Sequence, residues 1–430
     1  MIAIVDADDE VALAGLYAGG WDAPADVVAA VGAMLRDVRA NGDAALVTYT
    51  QRFDFPEASA ATLRRPIPTR AEADALVPAE IAAGLRLARD RVAAFHERQL
   101  ASDFEHRDAD GTRSALLMRP LGAVGAYVPG GTATLPSSVV MAVVPARIAG
   151  VSRIVVVTPP KRDGTVDPAI LFACALCGAD ELYAIGGAQA IAALAYGTST
   201  LARVDKIVGP GNVWVTEAKR QVFGTCGIDG LAGPSEVLVV ADASSNARFV
   251  AGEMIAQAEH DPLARVAAVS QDRACLEAVA ALLDGPFATE CGRGDIVDRV
   301  LASRAYLVHA RDRAAVLRVI DRFAPEHLSI QTSDPWNLVP EIARAGALFL
   351  GEDTPVAAGD YIAGSNHVLP TSGAARFSSG LRTADFYRTM SLVENSRARM
   401  RSDARALAAL ATFEGLPAHA RTARMREEDR

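Results

Sequence analysis

Four short runs between residues 123 and 211 decide the fold: AVGAYV (123–128), RIVVVTPP (153–160), ELYAIGG (181–187) and KIVGPG (206–211). Each is small, apolar and rich in β-branched residues, and each meets glycine or proline at its end. Ala-rich stretches of helical period separate them at 137–149, 167–177 and 188–197. Strands alternating with helices at this spacing read as βαβ units and a parallel sheet. The plan repeats downstream. EVLVVAD (236–242), RVAAVS (265–270), AYLVHA (305–310) and ALFLG (347–351) alternate with helical stretches at 246–259, 273–283 and 312–323. The chain therefore reads as α/β, with two Rossmann-like parallel-sheet units of similar plan that meet near the glycine-rich segment 224–234. On the N-terminal side, 26–51 has a helical face of Val27, Val28, Val31, Met34, Leu35 and Val38, and 79–99 is a second amphipathic helix. On the C-terminal side, SGLRTADFYRTMSL (379–392) and RARMRSDARALAALATFEGL (397–416) read as a helical domain, and the charged tail 421–430 as frayed.

Bulk properties narrow the function classes. A chain of 430 residues, half of them apolar, is long enough for more than one core. A net charge of −9 argues against a nucleic-acid partner, which requires a basic footprint. No apolar run reaches the ~18 residues of a membrane helix, so no membrane association is expected. The N-terminus MIAIVDADDEVALAG is acidic and does not read as a signal peptide. The cysteines Cys174, Cys177, Cys226, Cys275 and Cys291 suggest no disulfide framework, which fits a reducing cytoplasm. Cys174 and Cys177 lie in an apolar helical stretch and read as a buried thiol pair.

Three strands of the first unit end in glycine loops: Val128-Pro129-Gly130-Gly131, Ile185-Gly186-Gly187-Ala188-Gln189 and Gly209-Pro210-Gly211-Asn212. Backbone N–H groups in such loops can approach phosphate, and the helix that follows presents its positive end. None has the Gly-x-Gly-x-x-Gly spacing, and ordinary turn chemistry explains each loop alone as well or better.

The metal-ligating residue types are dispersed. Gln257 and His260 lie three apart at a helix end and can share a face. Asp360 and His367 lie in a Gly/Ser-rich loop after ALFLG, and Glu414 and His419 flank the Gly-Leu-Pro that stops a helix. Taken singly, these read equally as a helix-end histidine, an Asx turn and a helix stop. Nitrogen and oxygen donors without thiolate suit Zn²⁺, Mn²⁺ or Co²⁺. Glu326 and His327 stand side by side after Pro325. An imidazole is a suitable base for an alcohol proton, and the carboxylate could serve a second transfer. Alone, the pair also reads as an exposed dipeptide at a helix end.

Together the fragments resemble the histidinol dehydrogenase family. The resemblance runs from about residue 27 to 425. It is carried by AYVPGGTATLPSSVVM (126–141), IGGAQAIAALAYGT (185–198), VGPGNVWVTEAKRQVFG (208–224), LAGPSEVLVVAD (231–242), AQAEHDP (256–262), RFAPEHL (322–328), GDYIAGSNHVLPTSGAARFSSGL (359–381) and FEGLPAH (413–419). It implies that Gln257, His260, Asp360 and His419 are Zn²⁺ ligands, one ion per subunit, with His419 supplied by the partner of a homodimer. It implies Glu326 and His327 as the catalytic acid–base pair. Ser235, His367 and Glu414 become substrate contacts beside the metal ligands and His327, and Tyr127, Gln189 and Asn212 become NAD⁺ contacts. The implied reaction is a four-electron oxidation of L-histidinol to L-histidine through bound histidinal, using two NAD⁺, as the last step of histidine biosynthesis. The implied division is an arm at 1–25, a discontinuous α/β domain of 26–125 and 235–381, a dinucleotide-side domain at 126–234 and a helical domain at 382–430. Two alternatives stand beside this reading: a paralogue acting on another small alcohol such as a sulfonated diol, and a zinc hydrolase using Glu326 as general base.

Overall fold

The computed structural model describes residues 2–130, 134–289 and 293–428. Gly131 of the first glycine loop and Cys291 lie outside these residues. The chain forms two compact units, one from the residues up to Gln99 together with Gly122–Phe386, the other from Leu100–Leu121 with the residues from Tyr387 onward.

The strands in chain order are β1 (Ile4–Asp6), β2 (Arg64–Arg65), β3 (Phe104–Arg107), β4 (Arg113–Pro120), β5 (Ala123–Tyr127), β6 (Arg153–Thr158), β7 (Glu181–Ala184), β8 (Lys206–Val208), β9 (Gly227–Ile228), β10 (Glu236–Ala241), β11 (Arg265–Ser270), β12 (Ala305–His309), β13 (His327–Gln331), β14 (Ala347–Leu350) and β15 (Tyr387–Glu394). The first unit holds two six-stranded sheets. One has the order β2-β7-β6-β5-β8-β9, parallel except for the edge strand β2, and the other, β1-β12-β11-β10-β13-β14, is parallel throughout. The eight strands expected from the sequence are all present. Helices cover both faces of the central strands, so β6 and β10 are apolar on both sides and read as unbroken Val-rich runs. Cys174 and Cys177 are buried free thiols, as expected.

Four expectations need correction. Residues 26–125 do not pack as a block with 235–381. The helix Ala25–Asn41 buries Val27, Val31, Leu35 and Val38 in the core of the first sheet, and β2 pairs with β7 of that sheet. The helical stripe was legible, but nothing local says which sheet covers it. The arm at 1–25 is built into the second sheet: β1 is its edge strand, and Leu13 and Leu16 are fully buried in its core. The C-terminal segment is not purely helical. Residues 387–394 form β15, antiparallel to β4 with Tyr387 opposite Pro120, in a three-stranded sheet with β3. Its partner strand lies more than 260 residues away in sequence, so pairing rather than local propensity sets its conformation. The tail continues as the helix Pro417–Glu428. One strand, β13 (HLSIQ), was not anticipated, and it carries His327.

The third glycine loop shows why glycine is required there. Gly209 has φ +111°, and a Cβ on it would lie 2.1 Å from the Tyr127 carbonyl oxygen. Its N–H donates to Asp229 Oδ2 at 2.7 Å and its carbonyl accepts from Lys219 Nζ at 3.0 Å. Lys219 and Asp229 form a buried ion pair that pins the loop.

Candidate active site

Glu236 opens β10 and His327 opens β13, with Ser235 and Glu326 immediately before them. The parallel register places Val237 opposite His327, so Glu236 faces Glu326 across the pair. The site thus forms at the amino ends of the second sheet, whereas the glycine loops lie at the carboxyl ends of the first. Glu236 grips both members of the dyad through its backbone. Its N–H donates to Glu326 Oε2 at 2.9 Å, and its carbonyl accepts from His327 Nδ1 at 2.9 Å. Nδ1 therefore carries the proton, and Nε2 keeps the lone pair a base needs. Glu326 Oε2 lies 3.5 Å from His327 Nδ1, and both residues are buried.

Burial sets the proton affinities. It pushes the His327 pKa down to about 4; the Glu236 carbonyl opposes this, and His260 and His367 add to it. Burial holds the Glu326 carboxyl well above the ordinary carboxylate range; the Glu236 N–H opposes this, and the charges of Glu236 and Asp360 add to it. The Asp360 carboxyl is raised to about 7 by burial and by Glu253. The fold has therefore collected an imidazole kept neutral and several carboxyls that resist ionising together, a pattern typical of proton-handling or cation-binding sites.

Gln257 lies in the last turn of the helix Ala247–Ala258, and His260 lies just beyond it, at the solvent-facing rim. Asp360 lies on the short helix Val356–Tyr361. The His367 ring is held at both nitrogens. Nδ1 donates to the Asp360 carbonyl at 2.9 Å, and Nε2 faces Ser138 Oγ at 3.4 Å. Asn366 donates to the Met141 carbonyl at 2.7 Å, so this loop docks on the helix Pro136–Ile148 that follows β5. The interactions among His260, His367 and His327, and between Asp360 and Glu326, bring these residues into one neighbourhood. Ser235 is half-buried beside them, and its carbonyl accepts from the Arg265 N–H.

The metal expectation can be tested on the donors. Among the described residues, no three His, Cys, Asp or Glu side chains of one chain gather on a cation-sized point. The expected set contributes only one imidazole and one carboxylate from this unit, the third donor being an amide. That amide belongs to Gln257, which is buried and whose Nε2 has no hydrogen-bond partner. A half-turn of the amide presents its oxygen there instead. A buried amide without a partner, an imidazole and a carboxyl together make a donor set whose chemistry suits a borderline cation such as zinc. Glu414 and His419 belong to the second unit, at the end of the helix Arg397–Phe413 and in the helix Pro417–Glu428, and both are exposed.

The expected dinucleotide contacts lie at the carboxyl ends of the first sheet. Tyr127 ends β5, is buried, and its hydroxyl accepts from the Gly187 N–H at 3.3 Å. Gln189 is buried two residues further along, in the helix Gly187–Tyr196. Asn212 caps the helix Val213–Val222, accepting from the N–H groups of Trp214 and Val215 at 3.1 and 3.2 Å. Its side-chain oxygen is thus committed to the helix. A cavity of about 650 Å³ lies against the same Gly209 loop, lined in part by Trp21, Lys219, Asp229, Thr371 and Arg376. None of the expected site residues lines it, and the proton-handling cluster is the better candidate for chemistry.

Glu236, Glu253 and Ser138 were missed in the sequence. Glu236 leads the apolar strand EVLVVA, and Glu253 interrupts an apolar helix. A charge in such surroundings needs a partner, and that signal was available.

Comparison with known proteins places this geometry. The histidinol dehydrogenase family profile matches residues 22–427. Histidinol dehydrogenase of Synechococcus sp. is 44% identical over 93% of this chain and 92% of its own length, and that of Aromatoleum aromaticum is 46% identical over 96% and 94%. The crystal structure of histidinol dehydrogenase from Elizabethkingia anophelis superposes with a TM-score of 0.90 at 32% identity, covering 99% of this chain and 97% of that one. Two sheets of mainly parallel strands with a buried base–acid pair make an α/β enzyme frame, and the relatives place it in the oxidoreductase class. Within that class, the chain belongs to the histidinol dehydrogenase family.

Proposed function

We propose that this protein oxidises L-histidinol to L-histidine with zinc and two NAD⁺, at the last step of histidine biosynthesis. The observation that carries the reading is the dyad itself: His327 anchored through Nδ1 with Nε2 free, beside a carboxyl whose proton affinity is raised. Gln257, His260 and Asp360 would hold zinc, with His419 from the partner subunit of a homodimer completing the set. Tyr127, Gln189 and Asn212 would border the dinucleotide. When bound, zinc anchors a nitrogen-rich substrate and NAD⁺ accepts hydride.

His327 Nε2 takes the hydroxyl proton as the alcohol carbon is oxidised to the aldehyde. Glu326, as carboxylate, then draws a proton from water as its oxygen adds to the aldehyde carbon, and the protonated His327 returns its proton to the carbonyl oxygen, which gives a gem-diol and frees Nε2. His327 takes a hydroxyl proton again in the second oxidation, which yields the carboxylate. Two proton transfers of different kind call for two groups of different basicity. Ser235 and His367 orient the substrate, and the fixed His367 ring keeps that orientation from varying.

The dimer reading is supported by the second unit, where Phe413 is 92% exposed and Leu410 65%, next to Glu414. Apolar surface of this kind marks an interaction face. No described helix is long and apolar enough to cross a membrane, and the buried free thiols fit a cytoplasmic location. Product stoichiometry tests the reading. Two reduced cofactors per histidinol support it, one reduces the protein to an alcohol-to-aldehyde enzyme, and none points to hydrolysis.

A further inference from the structure

The expected zinc donors of this chain come from two segments that are distant in sequence. Gln257 lies in the last turn of the helix Ala247–Ala258 and His260 just beyond it, and Asp360 lies on the six-residue helix Val356–Tyr361. A helix so short is not stable alone and takes its position from tertiary anchors. Its first N–H groups have no partner within the helix. One of them, the buried N–H of Val356, donates to Glu253 Oε2 at 3.1 Å. Glu253 lies four residues before Gln257, on the same face of its helix, and seven before His260, which follows the helix end. At the other end, the Asp360 carbonyl accepts from His367 Nδ1. Gly359 packs so closely on Phe349 that a Cβ would lie 2.6 Å from the ring. The short helix is thus gripped at its start, its flank and its end, and only the grip at its start comes from the helix that carries the other donors.

We infer that Glu253 is a positioning residue: by holding the Val356 N–H it fixes Asp360 relative to Gln257 and His260. The inference rests on the zinc reading above. Glu253 acts as a hydrogen-bond acceptor, a role the glutamine amide oxygen can also fill. The Val356 side can be cut independently. Val356 is the first helical residue and follows Pro355 at φ −65°, ψ 146°. Proline is tolerated there; it removes the N–H and exchanges the buried Val356 side chain for a ring of similar size, so the metal-free Tm is the control for lost packing.

The test measures zinc affinity of the full chain by chelator competition, with zinc content by atomic absorption. The metal-free Tm and far-UV circular dichroism are recorded for each variant. Expected are E253Q within about threefold of the parent protein, and E253A and V356P each weaker by roughly 10–100-fold, the usual effect of losing a residue that supports a metal ligand. The double variant E253A/V356P should be no weaker than either single one, because both cut the same bond. Parent-like affinity in E253A and V356P overturns the inference, and so does an E253Q as weak as E253A. Collapse of the metal-free fold in both E253A and V356P also overturns it, in favour of a purely structural role. Failure of the parent protein to take up zinc would instead strike the zinc reading, since no variant would then be informative about position.

Discussion

His327 donates its Nδ1 proton to the carbonyl of Glu236 at 2.9 Å. This one bond fixes the tautomer and aims Nε2 away from the strand. Asparagine at 327 can keep a donor near that carbonyl but offers no base. We expect His327→Asn to fold and bind substrate while kcat falls by roughly 10²–10⁴, the usual contribution of a positioned base. Burial disfavours the imidazolium, so the ring stays neutral as pH falls until about 4. His327 should therefore contribute no acid limb to the kcat/KM profile near ~6.5, the ordinary imidazole value, and any inflection there comes from another group and should persist in the Asn variant. An inflection there that disappears in the Asn variant would show that the ring is solvated.

Glu326 is assigned only to the water step. Glu326→Gln should spare the first oxidation and impair the second. The number of reduced cofactors per histidinol, read at the nicotinamide band, should drop from two toward one, with histidinal trapped by a carbonyl reagent. Equal loss of both half-reactions would remove Glu326 from this role.

Gln257 carries a buried amide nitrogen without a partner. Leucine at this position removes an unsatisfied group and nearly keeps the volume. Gln257→Leu should stabilise the metal-free protein by about 1–3 kcal/mol, the cost of leaving such a group unpaired, and abolish tight zinc binding. Chemical denaturation in chelator and zinc content by atomic absorption separate the two effects. A destabilised metal-free variant would mean that the amide already has a partner in solution.

Asp54 lies away from these donors and has a buried Oδ2 without a hydrogen-bond partner. Burial raises its pKa to about 6, with Arg162 opposing. A raised carboxyl costs stability once ionised, so the cost is full above about pH 6 and absent below the ordinary value near ~3.8. Asp54→Asn should stabilise the protein at pH 8 by about 1–2 kcal/mol, allowing for the side chain's partial exposure. The advantage should shrink on acidification and vanish by about pH 4. Urea midpoints at several pH values check this, and an advantage independent of pH would exclude the mechanism.

The alternation of Val-rich runs with Ala-rich helices determined the two α/β units, because each run carries its own periodicity and its own stop signals. The motifs around Gln257, Glu326, Asp360 and His419 likewise determined which residues to suspect. Tertiary structure alone decided the rest. The helix Ala25–Asn41 shows an apolar stripe in sequence, but only packing assigns that stripe to the first sheet. β15 reads as helix until β4 lies beside it. The strand register sets Glu236 opposite Glu326, and through it the tautomer of His327 and the high proton affinity of its neighbour. The reason is physical: periodicity and turn chemistry act within about a dozen residues, whereas burial, strand register and the field of one charge on another depend on residues the chain brings together only by folding.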